Sequence, residues 1–171
     1  MTTQAQEFLD QVKNATGESC SLAVLDEDEV VYVARSAARK VIDLTLGVGS
    51  RLPAYCSSLG RVLLADFQDD EIIRRLDEMD RIQRTEYTKT GVTDILEAIR
   101  EARFNGYCLV EQELEIGLRS ISVPVRNQNQ RIIAAMTVGM PAIQSIQQSM
   151  LHDILPALQN ASRELGSQLI C

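Results

Sequence analysis

The sequence predicts an α/β domain of the α+β kind: a mainly antiparallel, six-stranded sheet with terminal helices on one face and inserted helices over the other. Three observations carry this expectation. Residues 19–36 and 117–139 alternate at the strand period around short polar turns. The middle of the chain and both of its ends instead repeat apolar residues at helical spacing. No internal repeat, low-complexity tract or flexible linker interrupts residues 1–171, so the chain reads as one domain.

From Gln4 to Ala15, Phe8, Leu9 and Val12 share one side while Glu7, Asp10 and Lys13 lie elsewhere, which predicts an amphipathic helix stopped by Thr16-Gly17. Its abrupt start reads as a segment cut from within a longer protein. Ser19–Leu25 and Val30–Ser36 flank the acidic turn Asp26-Glu27-Asp28-Glu29 as a hairpin. Cys20, Leu22, Val24, Val31, Val33 and Arg35 are expected on one of its faces. Val41–Leu46 is the expected third strand, ended by Gly47-Val48-Gly49-Ser50.

Ser57 or Ser58 is placed to cap a helix running through Phe67. Asp69-Asp70-Glu71 opens another, with Ile72, Ile73 and Leu76 apolar and the acids set against its N-terminal dipole. Residues 80–93 are polar and read as loop; Asp94 then caps Ile95–Asn105, and Gly106 ends that helix. Tyr107–Glu111 supplies a further strand. The last stretch, Ile143 to Ile170, is a long amphipathic helix that Pro156 kinks or divides.

The hairpin at 117–126 and 131–139, turning through Asn127-Gln128-Asn129-Gln130, has two unlike faces. Pairing Arg126 with Arg131 sets Ser120 opposite Thr137, Ser122 opposite Ala135 and Leu118 opposite Gly139. Ile121, Val123, Val125, Ile132, Met136 and Val138 form an ordinary core face. The other face is small, partly hydroxylated and too sparse to fill an interior, which points to the wall of a cavity for a small polar ligand.

Composition narrows the function classes. A 45% hydrophobic and 24% charged chain is normal for a soluble globular protein, and a net charge of -7 argues against this chain gripping a phosphate backbone by itself. Cys20, Cys56, Cys108 and Cys171 lack metal-ligand or disulfide spacing and read as reduced thiols. Neither metal nor cofactor is expected. No signal peptide or bilayer-length apolar run appears, so a cytoplasmic protein with no membrane partner is expected.

The segment from Leu52 to Arg61 is a loop entering a helix, whose early amides at Ser58, Leu59 and Gly60 are unpaired donors suited to a carboxylate. Gly60 admits another backbone or a ligand at close range, and a helix-packing glycine explains it equally. Arg35 lies in an apolar strand and is suited either to a ligand acid group or to capping a strand end. Arg119 is expected in a structural salt bridge to Glu111 or Glu113. The alternating Glu111, Glu113 and Glu115 read as a solvated edge that discourages aggregation. His152, the sole histidine, is far in sequence from Ser57, Ser58 and Cys56, so no catalytic residue is assigned. A small hydrolase or isomerase using Cys56 or Ser57, and a purely structural oligomerisation domain, are the alternatives.

With Leu-Pro-Ala-Tyr-Cys-Ser-Ser-Leu-Gly-Arg-Val-Leu-Leu-Ala at 52–65, Gly106-Tyr107, and Ile-Gly-Leu-Arg-Ser-Ile-Ser-Val-Pro-Val at 116–125, the chain resembles the effector-binding domain of IclR-type bacterial transcriptional regulators over essentially its whole length. The run at 111–120 is most similar to the branch governing protocatechuate, 4-hydroxybenzoate and β-ketoadipate catabolism. The resemblance implies a GAF-like or profilin-like curved sheet, small-molecule sensing and dimers or tetramers. It also implies a winged helix-turn-helix head outside these residues, through which alone DNA would be contacted. By position it implies a ligand pocket at Ser58, Leu59, Ser120, Thr137 and Gly139. Val110 replaces an acidic residue of some relatives and Gly139 a hydroxyl of others, so an aromatic or longer acid is expected rather than a two- or three-carbon keto acid. With Gly60, Ser122 and Arg35 these complete the expected ligand-binding set.

Overall fold

A computed structural model describes residues 2–38, 46–144 and 147–169. The chain begins with α1 (Thr2–Thr16), β1 (Cys20–Asp26), β2 (Glu29–Ser36) and β3 (Arg51–Pro53). The helices α2 (Ser58–Leu64), α3 (Asp69–Glu78) and α4 (Val92–Asn105) follow. Strands β4 (Cys108–Glu111), β5 (Leu118–Arg126) and β6 (Ile132–Pro141) complete the sheet. A short 3-10 turn, the three-residue α5 (Gln147–Ser149), a π-helical Met150–Ile154 and α6 (Leu155–Gln168) close the described chain. The sheet is antiparallel throughout, in the order β3-β2-β1-β6-β5-β4. The N-terminal hairpin therefore lies beside the C-terminal one through β1 and β6.

Each face of the sheet carries its own core. Phe8, Leu9 and Val12 of α1 and Leu158 and Leu165 of α6 pack with Leu22, Ile121, Met136 and Val138 on one side. On the other, Leu59, Leu63, Ile72, Leu76, Ile95 and Ile99 from α2, α3 and α4 cover Ala23, Tyr32, Val110 and Ala135. Burying these side chains contributes roughly 1.5–3 kcal/mol each before chain entropy is set against it. Two glycines let helices touch backbone directly. A Cβ at Gly60 would meet the Ala54 carbonyl oxygen at 2.2 Å, and one at Gly166 would meet that of Arg126 at 2.2 Å.

Two bulges settle which residues face which layer. Between β1 and β2 the pairing passes from Leu22 with Ala34 to Ala23 with Tyr32, skipping Val33. Arg35, paired with Ser21, thus stands on the opposite face from Cys20 and Leu22, contrary to the simple alternation. Between β5 and β6 the pairing passes from Val125 with Ala134 to Arg126 with Ile132, skipping Ile133. Arg126 does not pair with Arg131, and the register lies two residues from the one expected: Ser120 faces Gly139, Ser122 faces Thr137 and Leu118 faces Pro141. A shift of two preserves facing, so the hydroxylated side stays together. Ile132 crosses to the α2 side and Ile133 takes its place.

Other differences are local. Ser57 caps α2, its Oγ accepting the Gly60 amide at 3.1 Å, and the helix ends at Leu64 rather than Phe67. Gly91, not Asp94, precedes α4, which Gly106 ends in the left-handed conformation. Pro156 sits in the first turn of α6, where its missing N–H is tolerated, directly after the π-helical segment. Of the expected third strand, residues 41–45 lie outside the described residues, and the strand beside β2 is 51–53.

Candidate functional site

Between the first turn of α2 and the curled sheet lies a cavity of about 690 Å³. Ser58 and Leu59 form one wall; Val110, Ser120, Thr137 and Gly139 form the facing one, and Arg35 with Ser21 closes an end. The loop from Leu114 to Gly117 and the residues Tyr32 and Leu52 also line it. The volume suits a small organic molecule.

The hydroxyls on the floor are mutually bonded. Ser58 Oγ is 2.8 Å from Ser120 Oγ and 2.7 Å from Ser122 Oγ, while Thr137 Oγ1 donates to the Ile121 carbonyl at 3.0 Å. Ser122 is wholly buried and does not line the cavity; it holds Ser58 from behind. Gly60 does not line it either, because its Cα faces Ala54 and its amide serves the Ser57 cap. Arg35 Nη1 donates to Ser21 Oγ at 3.0 Å. Burial pushes the Tyr32 phenol up to about 12 against the opposing effect of Arg35, so it keeps its proton at neutral pH.

Glu113 is not part of a solvated edge. Arg61 donates to it from both terminal nitrogens, at 2.6 and 2.7 Å, and both side chains are buried. Burial opposes the Arg61 charge, but Glu113 outweighs it and keeps the guanidinium charged above its ordinary range. The Lys89 amide donates to Glu113 Oε1 at 2.9 Å and Thr88 Oγ1 to the Glu113 carbonyl at 2.6 Å. This pair ties α2 to the loop at the cavity mouth. Arg119 pairs with Glu111, one of its two expected partners.

Among the described residues, Cys56, Ser57 and His152 are not assembled as a nucleophile with its base. Burial raises the Cys56 thiol above its ordinary value, and Ser57 is engaged as a cap. His152 is 88% exposed, with Nδ1 2.9 Å from Asp153 Oδ1, and lies outside the cavity lining. Among the described residues, no group of three or more His, Cys, Asp or Glu could hold a metal ion, and no helix is long and apolar enough to cross a membrane.

Ser21, Tyr32, Arg61 and the loop from Leu114 to Gly117 were not expected at the site from the sequence. Ser21 reaches the site only because β1 pairs with β6, a contact across more than a hundred residues. Tyr32 stands on the face that simple alternation gives it, beside Ala23 and Val30, and no motif marked it; the skipped Val33 is what brings Arg35 to the same side. Arg61 had a signal in its place three residues after the capped helix start, on the same side as Ser58.

The family model for the bacterial transcriptional regulator IclR C-terminal domain matches residues 1–167. The Pca regulon regulatory protein of Pseudomonas putida is 37% identical over 170 residues, 99% of this chain and 58% of its own length. The p-hydroxybenzoate hydroxylase transcriptional activator of Acinetobacter baylyi is 35% identical over 166 residues, 94% of this chain and 61% of its own. The chain thus spans about three fifths of these relatives. Among solved structures, a double mutant of the PobR inducer binding domain from Acinetobacter, in complex with 3-hydroxybenzoic acid, superposes with a TM-score of 0.93 at 33% identity, over 99% of both chains. The two hydroxylated strands beside a capped helix at the cavity are thus set in a shared fold, and the chain belongs to the family of C-terminal domains of IclR-type bacterial transcriptional regulators.

Proposed function

We propose that the cavity is an effector site for a small aromatic or aliphatic carboxylate, and that this chain senses such an acid for a regulator of aromatic-acid catabolism. The observation that carries the reading is a hollow of about 690 Å³ whose walls are apolar at Leu52, Leu59 and Val110 and hydroxylated at Ser58, Ser120 and Thr137. Apolar walls receive a ring or chain; the hydroxyls and Arg35 fix polar substituents. A wrong ligand leaves buried polar groups unpaired, at about 1–3 kcal/mol for each. The relatives support the chemistry, since one is named for hydroxybenzoate hydroxylase control and the PobR domain holds a hydroxybenzoic acid.

Signalling requires the ligand to bind two arrangements unequally. The route in this reading is β2 to α1: Gln6 Nε2 donates to the Arg35 carbonyl at 3.3 Å, and Asp10 bonds Ser36 Oγ. α1 would pass the change to a DNA-binding head, in a cytoplasmic dimer or tetramer. Titration calorimetry with 4-hydroxybenzoate, protocatechuate, 3-hydroxybenzoate and β-ketoadipate tests the proposal. Saturable heat with a raised melting temperature is expected for at least one; neither response from any of the four overturns it.

A further inference from the structure

Four residues are successive cross-strand partners on the cavity side of the sheet: Arg35 on β2, Ser21 on β1, Thr137 on β6 and Ser122 on β5. Side chains so paired stand about 4.5–5.5 Å apart at Cβ. Their hydrogen bonds give the row a direction. Ser21 Oγ accepts from Arg35, so its own hydrogen is the one it has to give. Thr137 Oγ1 gives its hydrogen to Ile121, so toward the cavity it is an acceptor. The β2–β1 end therefore presents hydrogen-bond donors, and the floor beyond it presents an acceptor and then the exchangeable hydroxyl chain of Ser120 and Ser58.

Resting on the effector-site reading, we infer that the ligand's acid group is bound at Arg35 and Ser21, with the ligand's hydroxyl-bearing end directed along the row toward Thr137 and Ser120. Charge reinforces the geometry. Arg35 is the one cation among the described lining residues, while Glu18 and Glu115 also line the cavity. A carboxylate bound at Arg35 meets a guanidinium and the Ser21 hydroxyl together, whereas elsewhere in the described lining it meets no cation. The start of α2 is the poorer receiver, being seven residues long with the Gly60 amide already bonded to Ser57. Gly139, whose missing side chain leaves only Leu118 Cδ1 within 4 Å of where a Cβ would stand, leaves room for a ring across the row.

The test compares an acid with its neutral isostere, 4-hydroxybenzoate with 4-hydroxybenzamide, by calorimetry on the wild type, Arg35→Gln and Arg35→Lys, each shown folded by its melting curve. The wild type is expected to prefer the acid by about tenfold or more, and Arg35→Gln to lose that preference while binding the amide as before. Arg35→Lys keeps the charge but not the planar fork, so its preference falls part of the way and decides the matter should Arg35→Gln not fold. An acid-to-amide ratio that is the same in wild type and variants, or absent from the wild type, overturns the inference. Failure of the wild type to bind any acid instead overturns the effector-site reading beneath it.

Discussion

At the scale of single residues, buried acids that keep their protons set an alkaline limit. Burial pushes the Cys108 thiol up to about 11 from an ordinary 9.0, and the Tyr32 phenol up to about 12 from 10.0. In the unfolded chain both groups lose their protons near their ordinary values, whereas in the folded chain they hold them higher. Their contribution is therefore fully present below about pH 9 and is lost as pH rises through 11 to 12. The urea midpoint is expected to fall steadily above about pH 9, and Cys108→Ala to make that fall shallower. An unchanged slope in the variant would remove Cys108 from the account.

At the scale of elements, the buried Arg61–Glu113 pair joins α2 to the loop after β4, which also hangs from Thr85 Oγ1 on the Gln112 carbonyl at 2.7 Å and from Arg84 Nε on the Leu114 carbonyl at 3.2 Å. Leu114 and Ile116 of that loop line the cavity, so the pair positions a wall without touching the space inside. Glu113→Gln or Arg61→Met leaves one buried group without its partner and is expected to destabilise by about 3–5 kcal/mol in chemical denaturation. Replacing both by apolar residues should be milder than either single change. If the singles cost no more than an exposed pair, the clamp is not what holds the loop.

At the scale of the whole molecule, one sheet serves two layers with separate tasks. The α2–α4 side carries the cavity; the α1–α6 side packs a continuous apolar core and holds α6 against β5 through Gly166. Gly166→Ala drives a methyl into the Arg126 backbone, which cannot retreat without moving the strand, and is expected to cost about 1–3 kcal/mol. Because Arg126 lies beyond the bulge from Ser120 and Ser122, the acid-to-amide binding ratio should stay at its wild-type value. A changed ratio at full folding would show the two layers to be more tightly coupled than their packing implies.

Sequence alone determined the main helices, five of the six described strands, the caps at Ser57 and Gly106, and the hydroxylated face of β5 and β6, because each is written in spacing between near neighbours along the chain. Seven of the nine expected ligand residues line the cavity, and for Ser120, Thr137 and Gly139 the reason is that local alternation fixes a facing even when the register is two residues off. Tertiary structure decided the rest. Ser21 joins Thr137 only through the pairing of β1 with β6, Tyr32 and Arg35 share a side only through a skipped residue, and Glu113 leaves solvent only because Arg61 comes to it from another element. Pairing, bulge and buried charge are settled by the total free energy of distant segments brought together, and no window along the chain contains that sum.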